Sequence, residues 1–371
     1  MPYTLTRLLY AKDEVMLSLL HELLLKNDVQ ACLFWCGELC YSHIADLYDF
    51  IWKIYFDFYA EYNPHLERYL QKKQLLWRKD QNMKHILCIV YNMFYLKSSS
   101  TTFLLRLSVE QKPSSLTLYR KSAHKKWNWL HSYPQCYHAL LKALFKKHLF
   151  NAATLLQQLL LLKTAKDVYD VILPYYAQNI ALVHQNIITE KWQKRGWYND
   201  FHGLLSLIVH LQTPAYNIQH PLVFKIPSQK ILENTEKFNQ EILERHAKNV
   251  KVYHILKDFR LFTVQEMIGA FLLDRNSINA LENEVNYHWE YYANNCPLWS
   301  KRFMDCSAEF NHKNIDLCEK GDTNYNLEFD EQAPYVKYRS TCTLKNMTFD
   351  HWHRKLFKIS PQLLVSGKIV Y

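Results

Sequence analysis

The sequence predicts an all-α protein: a multi-helix globular body around a buried central helix, with an irregular acidic C-terminal arm. Three observations predict it. Only six glycines occur in 371 residues, well below the roughly 7% of average chains, so the positive-φ positions that hairpins and phosphate loops need are scarce. Apolar residues recur at helical spacing through most of the chain as far as Asp305. Third, the stretch Ile44 to Tyr62, which follows a run-in from Ala31 to Tyr41, is itself apolar apart from Asp46, Asp49, Lys53, Asp57 and Glu61. At about 100° per residue those five fall on one narrow stripe. A helix that is apolar over most of its circumference is buried, and the stripe suits a solvated edge.

The elements follow in order. Lys12 to Lys26 reads as an amphipathic helix with Met16, Leu19, Leu20, Leu23 and Leu24 on one face. The central helix stops at Asn63-Pro64, where Asn63 caps and Pro64 opens a helix to about Lys79. A further helix covers Asn82 to Leu96. Ser98 to Ser100 breaks the pattern, and Thr101 to Val109 and Leu116 to Tyr119 are the plausible strands, as one irregular hairpin. Helices are expected over Ser122 to His131, Pro134 to Lys147 and Ala152 to Leu162. Thr164 and Asp167 form a capping box ahead of Val171, which Pro174 disturbs, and Asp200 caps Phe201 to Leu211. Ser228 to Ala247, Val250 to Phe259 and Ser277 to Ala293 continue the helical pattern. Thr263 to Glu266 is a capping box for a helix to Leu273, and a short helix after Pro297 reaches Asp305. The body thus spans 1–306 and reads as one continuous all-α unit, the Ser-rich break at 98–115 being the alternative place for a subdivision. An arm over 307–371 loses periodicity, apart from a short terminal helix at Phe349 to Ile359.

Charge is the feature most informative about function. The chain carries a net charge of +10. Between Gln111 and Lys166 there are ten Lys or Arg and no Asp or Glu, so that one stretch equals the excess of the whole chain. Seven acids against two lysines give Ser307 to Gln332 the opposite sign. Within the basic stretch, Arg120, Lys121, Lys125 and Lys126 alternate with Trp127 and Trp129, and Lys142, Lys146 and Lys147 share a helix face. Bases contact phosphates and aromatic rings stack on unpaired bases, so these nine residues are the candidate nucleic-acid site. The plainer account is a solvated helix face with both tryptophans in the core. A third account has the acidic arm covering the patch. The basic-aromatic group Lys191, Trp192, Lys194, Arg195, Trp197 and Tyr198 around Gly196 reads as a helix-terminating loop.

Known catalytic signatures are absent from the sequence. Scattered glycines leave no phosphate loop and no dinucleotide fingerprint, and no two of the 18 histidines stand three or four apart. His351 and His353 would diverge on a helix. Glu284 and His288 share a helical face, where an i,i+4 hydrogen bond is the plainer account. Asp57 and Glu61 could pair for acid–base chemistry, but they lie on the stripe read as solvated. Cys32, Cys36 and Cys40 line one helix as small core residues. Nine cysteines without zinc spacing and without a signal peptide point to a reducing, intracellular setting in which the sequon at Asn346 is unused. Leu155 to Leu162 is too short to span a bilayer. No cofactor, metal or membrane is expected.

Two segments, Leu33-Phe34-Trp35-Cys36-Gly37-Glu38-Leu39-Cys40-Tyr41-Ser42 and Tyr119-Arg120-Lys121-Ser122-Ala123-His124-Lys125-Lys126-Trp127, resemble uncharacterised helical proteins of large nucleocytoplasmic DNA viruses. The resemblance covers about residues 33 to 150. It implies a viral setting, in an infected cell or a virion, with viral or host protein partners, and it carries no activity and no site residue. The leading expectation is a non-enzymatic interaction protein that binds a polyanion, above all nucleic acid, through residues 119–147 in a viral assembly or expression complex. The alternative is a structural or scaffolding virion component that docks protein partners through its aromatics and C-terminal arm. An enzyme with an unfamiliar helical site is the third reading.

Overall fold

Three of the described helix ends are built without glycine. Lys26, Gln81 and Lys147 adopt φ of 55°, 54° and 56°, the left-handed conformation usually given to glycine just past a helix. At Lys147 the closure is a Schellman motif: the His148 N–H donates to Ala143 C=O at 2.9 Å and the Lys147 N–H to Leu144 C=O at 3.0 Å.

The computed structural model describes residues 5–8, 10, 12–26, 28–42, 44–111, 125–179, 200–214, 217, 224–233, 235, 262–264, 273–275, 290–305, 309–311, 316–319, 362–363 and 369–370. The architecture is all-α. Its helices are α1 (Lys12–Leu25), α2 (Val29–Ser42), α3 (Ile44–Ile54), α4 (Leu66–Asp80), α5 (Lys84–Tyr95), α6 (Thr101–Gln111), α7 (His138–Phe145), α8 (Leu149–Leu160), α9 (Ala165–Asn179), α10 (Phe201–Gln212) and α11 (Pro297–Asp305). Three antiparallel pairings of two strands accompany them: β1 (Phe262–Val264) with β2 (Leu273–Arg275), β3 (Glu309–Asn311) with β4 (Asp316–Glu319), and β5 (Gln362–Leu363) with β6 (Ile369–Val370). The chain divides into two compact units, one of residues 1–51, 72–95 and 224–347, the other of 52–71, 96–223 and 348–371.

In the first unit α2 packs against α1, α5 and α11. Every residue from Ala31 to Cys40 is buried, so the run-in, rather than the stretch after it, is the helix surrounded on all sides. That burial takes in a carboxylate. Glu38 receives the Arg7 Nε–H at 2.8 Å and the Leu8 N–H at 3.1 Å, while Arg7 N–H donates to Ser42 Oγ at 2.9 Å. The Arg7 guanidinium also lies over the Tyr41 ring at 4.3 Å, and the Trp299 indole N–H of α11 donates to Arg7 C=O at 2.8 Å. Both charges are fully enclosed, and each is met by a partner of opposite sign, as buried charges require. The cysteine row Cys32, Cys36 and Cys40 lies within this core as free thiols, and burial pushes all three thiol pKa values up.

The second unit begins where the expected single helix Ile44–Tyr62 changes character. The α-helix ends at Ile54 and one π turn, Tyr55–Tyr59, follows, closed by Ala60 N–H to Tyr55 C=O at 2.8 Å. The solvated stripe is corrected here. Asp49 is exposed, but Asp57 and Glu61 are buried. Residues four apart drift by about 40° around an α-helix, and the π turn shifts the register again, so the stripe rotates into the interior.

There α6 receives it. Arg106 grips Asp57 with two hydrogen bonds, Nε to Oδ1 at 3.2 Å and Nη2 to Oδ2 at 2.9 Å. Phe103 packs on Phe58 with ring centroids 5.0 Å apart. Glu61 accepts from Ser99 Oγ and Thr213 Oγ1. Residues 101–109, expected as a strand, are therefore helix: Phe103, Leu104, Leu105 and Leu107 are all fully buried, and packing overrides the β-branched local preference. The other half of that hairpin, 116–119, lies outside the described residues.

The remainder of this core joins α7, α8, α9 and α10 through Leu140, Leu144, Leu156, Ile172, Leu204 and Ile208. Two of the expected caps form: Thr164 and Asp167 exchange bonds at 3.1 and 3.2 Å, and Asp200 accepts from Gly203 N–H at 2.8 Å, whereas the Asn63 side chain does not cap α4 but donates to Tyr59 C=O at 3.0 Å and Lys97 C=O at 2.7 Å. Pro174 sits inside α9 without ending it. The box at Thr263 does not cap a helix, because Thr263 pairs with Asp274 between β1 and β2. Glu284, His288, the helix at 349–359, the group around Gly196 and most of the acidic arm lie outside the described residues.

Candidate nucleic-acid interface

From Lys125 onward the basic stretch folds as a 3₁₀ segment, Lys125–Ser132, a second short 3₁₀ turn at Gln135–Tyr137, and then α7. The first segment carries both tryptophans, and the two have different surroundings. Trp129 is walled by aromatic rings: Tyr175 stacks on it at 5.6 Å with 25° between planes, Phe145 lies 5.9 Å away and Tyr133 6.2 Å. Burial, and then the Tyr133 neighbour, push the Tyr175 pKa up to about 12. Trp129 thus belongs to the packing of α7 and α9.

Trp127, partly buried against the same core and 6.3 Å from the Trp129 ring, meets charge as well. The ammonium groups of Lys142, Lys146 and Lys126 lie 5.3, 5.6 and 5.8 Å from its ring centre, within the range of a cation–π attraction. Phe145 meets the indole edge to face at 5.7 Å and takes Lys126 over its own ring at 6.0 Å. Phe145 is 47% exposed, although an aromatic of that size is ordinarily placed in a core. Sequence reasoning passed over Phe145. Its signal was its position between Lys142 and Lys146 on the charged face of α7.

Three like charges therefore converge on one indole from two elements. Lys142 and Lys146 sit one turn apart, where like charges repel, and burial, followed by the Lys146 charge, lowers the Lys142 pKa. Both are at the C-terminal end of α7, where the helix dipole favours cations by about 0.3–1 kcal/mol. That local reason accounts for them and also for Lys147, which closes the Schellman turn and is exposed. Lys126 joins them from the 3₁₀ segment. Neither Lys142 nor Lys146 forms an ion pair with a carboxylate among the described residues. The two arginines buried among the described residues, Arg7 and Arg106, are each bound to an acid instead.

Of the nine candidate residues, the fold gathers Lys126, Trp127, Lys142 and Lys146, places Lys147 beside them in sequence, and sets Trp129 6.3 Å from Trp127 among the rings of Tyr175, Phe145 and Tyr133. Arg120, Lys121 and the Lys125 side chain lie outside the described residues.

Asp57 and Glu61, the carboxylates weighed for acid–base work, are engaged elsewhere. Asp57 is bound by Arg106, with His202 Nε2 3.8 Å from its Oδ1. Glu61 is held by two hydroxyls, and its own carbonyl accepts from His210 Nδ1 at 2.9 Å. Burial lowers the His202 pKa against the pull of Asp57. Among the described residues no cluster of His, Cys, Asp or Glu is suited to a metal, and no helix is long and apolar enough to cross a membrane.

Fold and site together define an all-α chain with a basic-aromatic cluster on its second unit. Compared with protein-family models, curated proteins and solved structures, the chain matches none.

Proposed function

We propose that this chain is an interaction protein that binds a polyanion, above all nucleic acid, through the cluster at Trp127. The observation that supports it is the convergence of the Lys126, Lys142 and Lys146 ammonium groups on one indole, in a stretch of sequence without a single acid. Gathering like charges costs free energy, and phosphates offset that cost while releasing their own counterions. Lys126, Lys142, Lys146 and Lys147 supply the phosphate contacts of this reading, with Arg120, Lys121 and Lys125 adjoining them in sequence. The viral assembly or expression complex implied by the sequence resemblance is the setting proposed for it.

The test is charge reversal. Lys126→Glu, Lys142→Glu and Lys146→Glu, combined in the full chain, are expected to abolish retention on DNA and RNA and to lower the 260/280 absorbance ratio of the purified protein. Retention undiminished by the three reversals rejects the reading.

A further inference from the structure

Resting on that reading, we infer that the site takes nucleic acid with unpaired bases, a single strand, in preference to a duplex. The geometry sets aromatic rings at the centre of the cationic cluster, not beside it. A surface built only to neutralise phosphates has no use for a ring between its ammonium groups. Here the Trp127 indole is the point on which three of them converge, and the Phe145 phenyl beside it is 47% exposed.

A duplex presents backbone phosphates outward and base edges in its grooves, keeping its base faces stacked on one another. A single strand offers phosphates and free base faces together. On the protein, the lysines at present lend their charge to the indole face. A phosphate that draws those ammonium groups towards itself uncovers that face, and a base attached to the same strand is near enough to replace them. The exchange gives up a cation–π contact and gains an ion pair together with a stacking contact. A duplex or a sulfated polysaccharide obtains only the ion pair.

The geometry also assigns the stacking ring. Both tryptophans are partly buried against the core, but Trp129 packs among Tyr175, Phe145 and Tyr133 while the three ammonium groups converge on Trp127, so Trp127 and the exposed Phe145 carry the contact.

Three probes separate the possibilities on the full chain: an oligothymidylate, a duplex with the same number of phosphates, and heparin. Each is titrated against the wild type, Phe145→Leu and Trp127→Leu, followed by fluorescence anisotropy of the labelled probe. The expected result is tightest binding of the oligothymidylate, with each variant losing about ten-fold on it and neither changing affinity for the duplex or heparin. A duplex bound as tightly as the oligothymidylate, or an equal loss on all three probes, overturns the single-strand inference and leaves the polyanion reading standing. Binding to none of the three overturns both. Should Trp127→Leu fail to fold by circular dichroism, Phe145→Leu at an exposed position decides alone, because leucine there keeps an apolar group.

Discussion

Arg106 and Lys142 stand in the same unit and carry the same charge, yet the protein treats them in opposite ways. The Arg106 guanidinium is buried against Asp57 with two hydrogen bonds, and a histidine and a phenylalanine close around the pair. The Lys142 ammonium faces Lys146 and a tryptophan, with no acid in ion-pair range among the described residues. The first unit repeats the former arrangement at Arg7 and Glu38. Charges that hold a fold together come with their counter-charge from the same chain. On the reading proposed above, Lys142 and Lys146, which have no acid in ion-pair range among the described residues, take their counter-charge from a bound polyanion.

The largest effect expected from this contrast is on the paired side. Arg106→Met leaves Asp57 enclosed without its partner and should cost about 3–5 kcal/mol, read as a lower urea midpoint. Replacing both, Arg106→Met with Asp57→Leu, should restore much of that loss. A single variant as stable as wild type would mean the pair is not what anchors α6. Next in size is Trp299→Phe, which removes the donor to Arg7 C=O and is expected to cost roughly 1–3 kcal/mol. An unchanged midpoint would break the account of the first unit's core.

Lys142→Gln with Lys146→Gln sharpens the other side. Relief of the like-charge repulsion is opposed by loss of the helix-dipole and cation–π attractions, so the unfolding midpoint should move little. A clear drop would show that these lysines hold the fold and would remove the ground for an outside partner.

The smallest expected effect concerns His202, which faces Asp57, Arg106, Asp200 and Lys53. Its folded-state pKa lies below the unfolded value of about 6.5, so the unfolded chain binds the extra proton first and stability falls as pH drops through that value towards the folded one. His202→Gln should unfold with a shallower pH dependence than wild type below about pH 6.5. Identical slopes would show that His202 titrates alike in both states.

The sequence made one half of this contrast legible and hid the other. The lysines and tryptophans of 119–147 announce themselves because they are close together in the chain, and the caps at Thr164 and Asp200 because capping is a local rule. Asp57 looked solvated because its partner Arg106 is 49 residues away, and one sequence gives no sign that the two meet. The π turn that helps carry Asp57 inward has no local signature among Tyr55 to Tyr59. Residues 101–109 misled for the same reason: their β-branched and apolar run fits a strand or a fully buried helix, and only the surrounding core decides. At the site, the two tryptophans look equivalent in sequence. They separate only when Tyr175, 46 residues beyond Trp129, stacks on one of them and not the other.

The central claim is that the Trp127 lysines meet phosphates, and the salt dependence of binding tests it most directly. An oligothymidylate is titrated over a range of salt concentrations against wild type and against Lys126→Gln, Lys142→Gln and Lys146→Gln combined. Each phosphate contact on a single strand contributes about 0.7 to the slope of log affinity against log salt. The account predicts that the variant's slope is shallower by about two. Parallel lines, or wild-type binding that ignores salt, would contradict it.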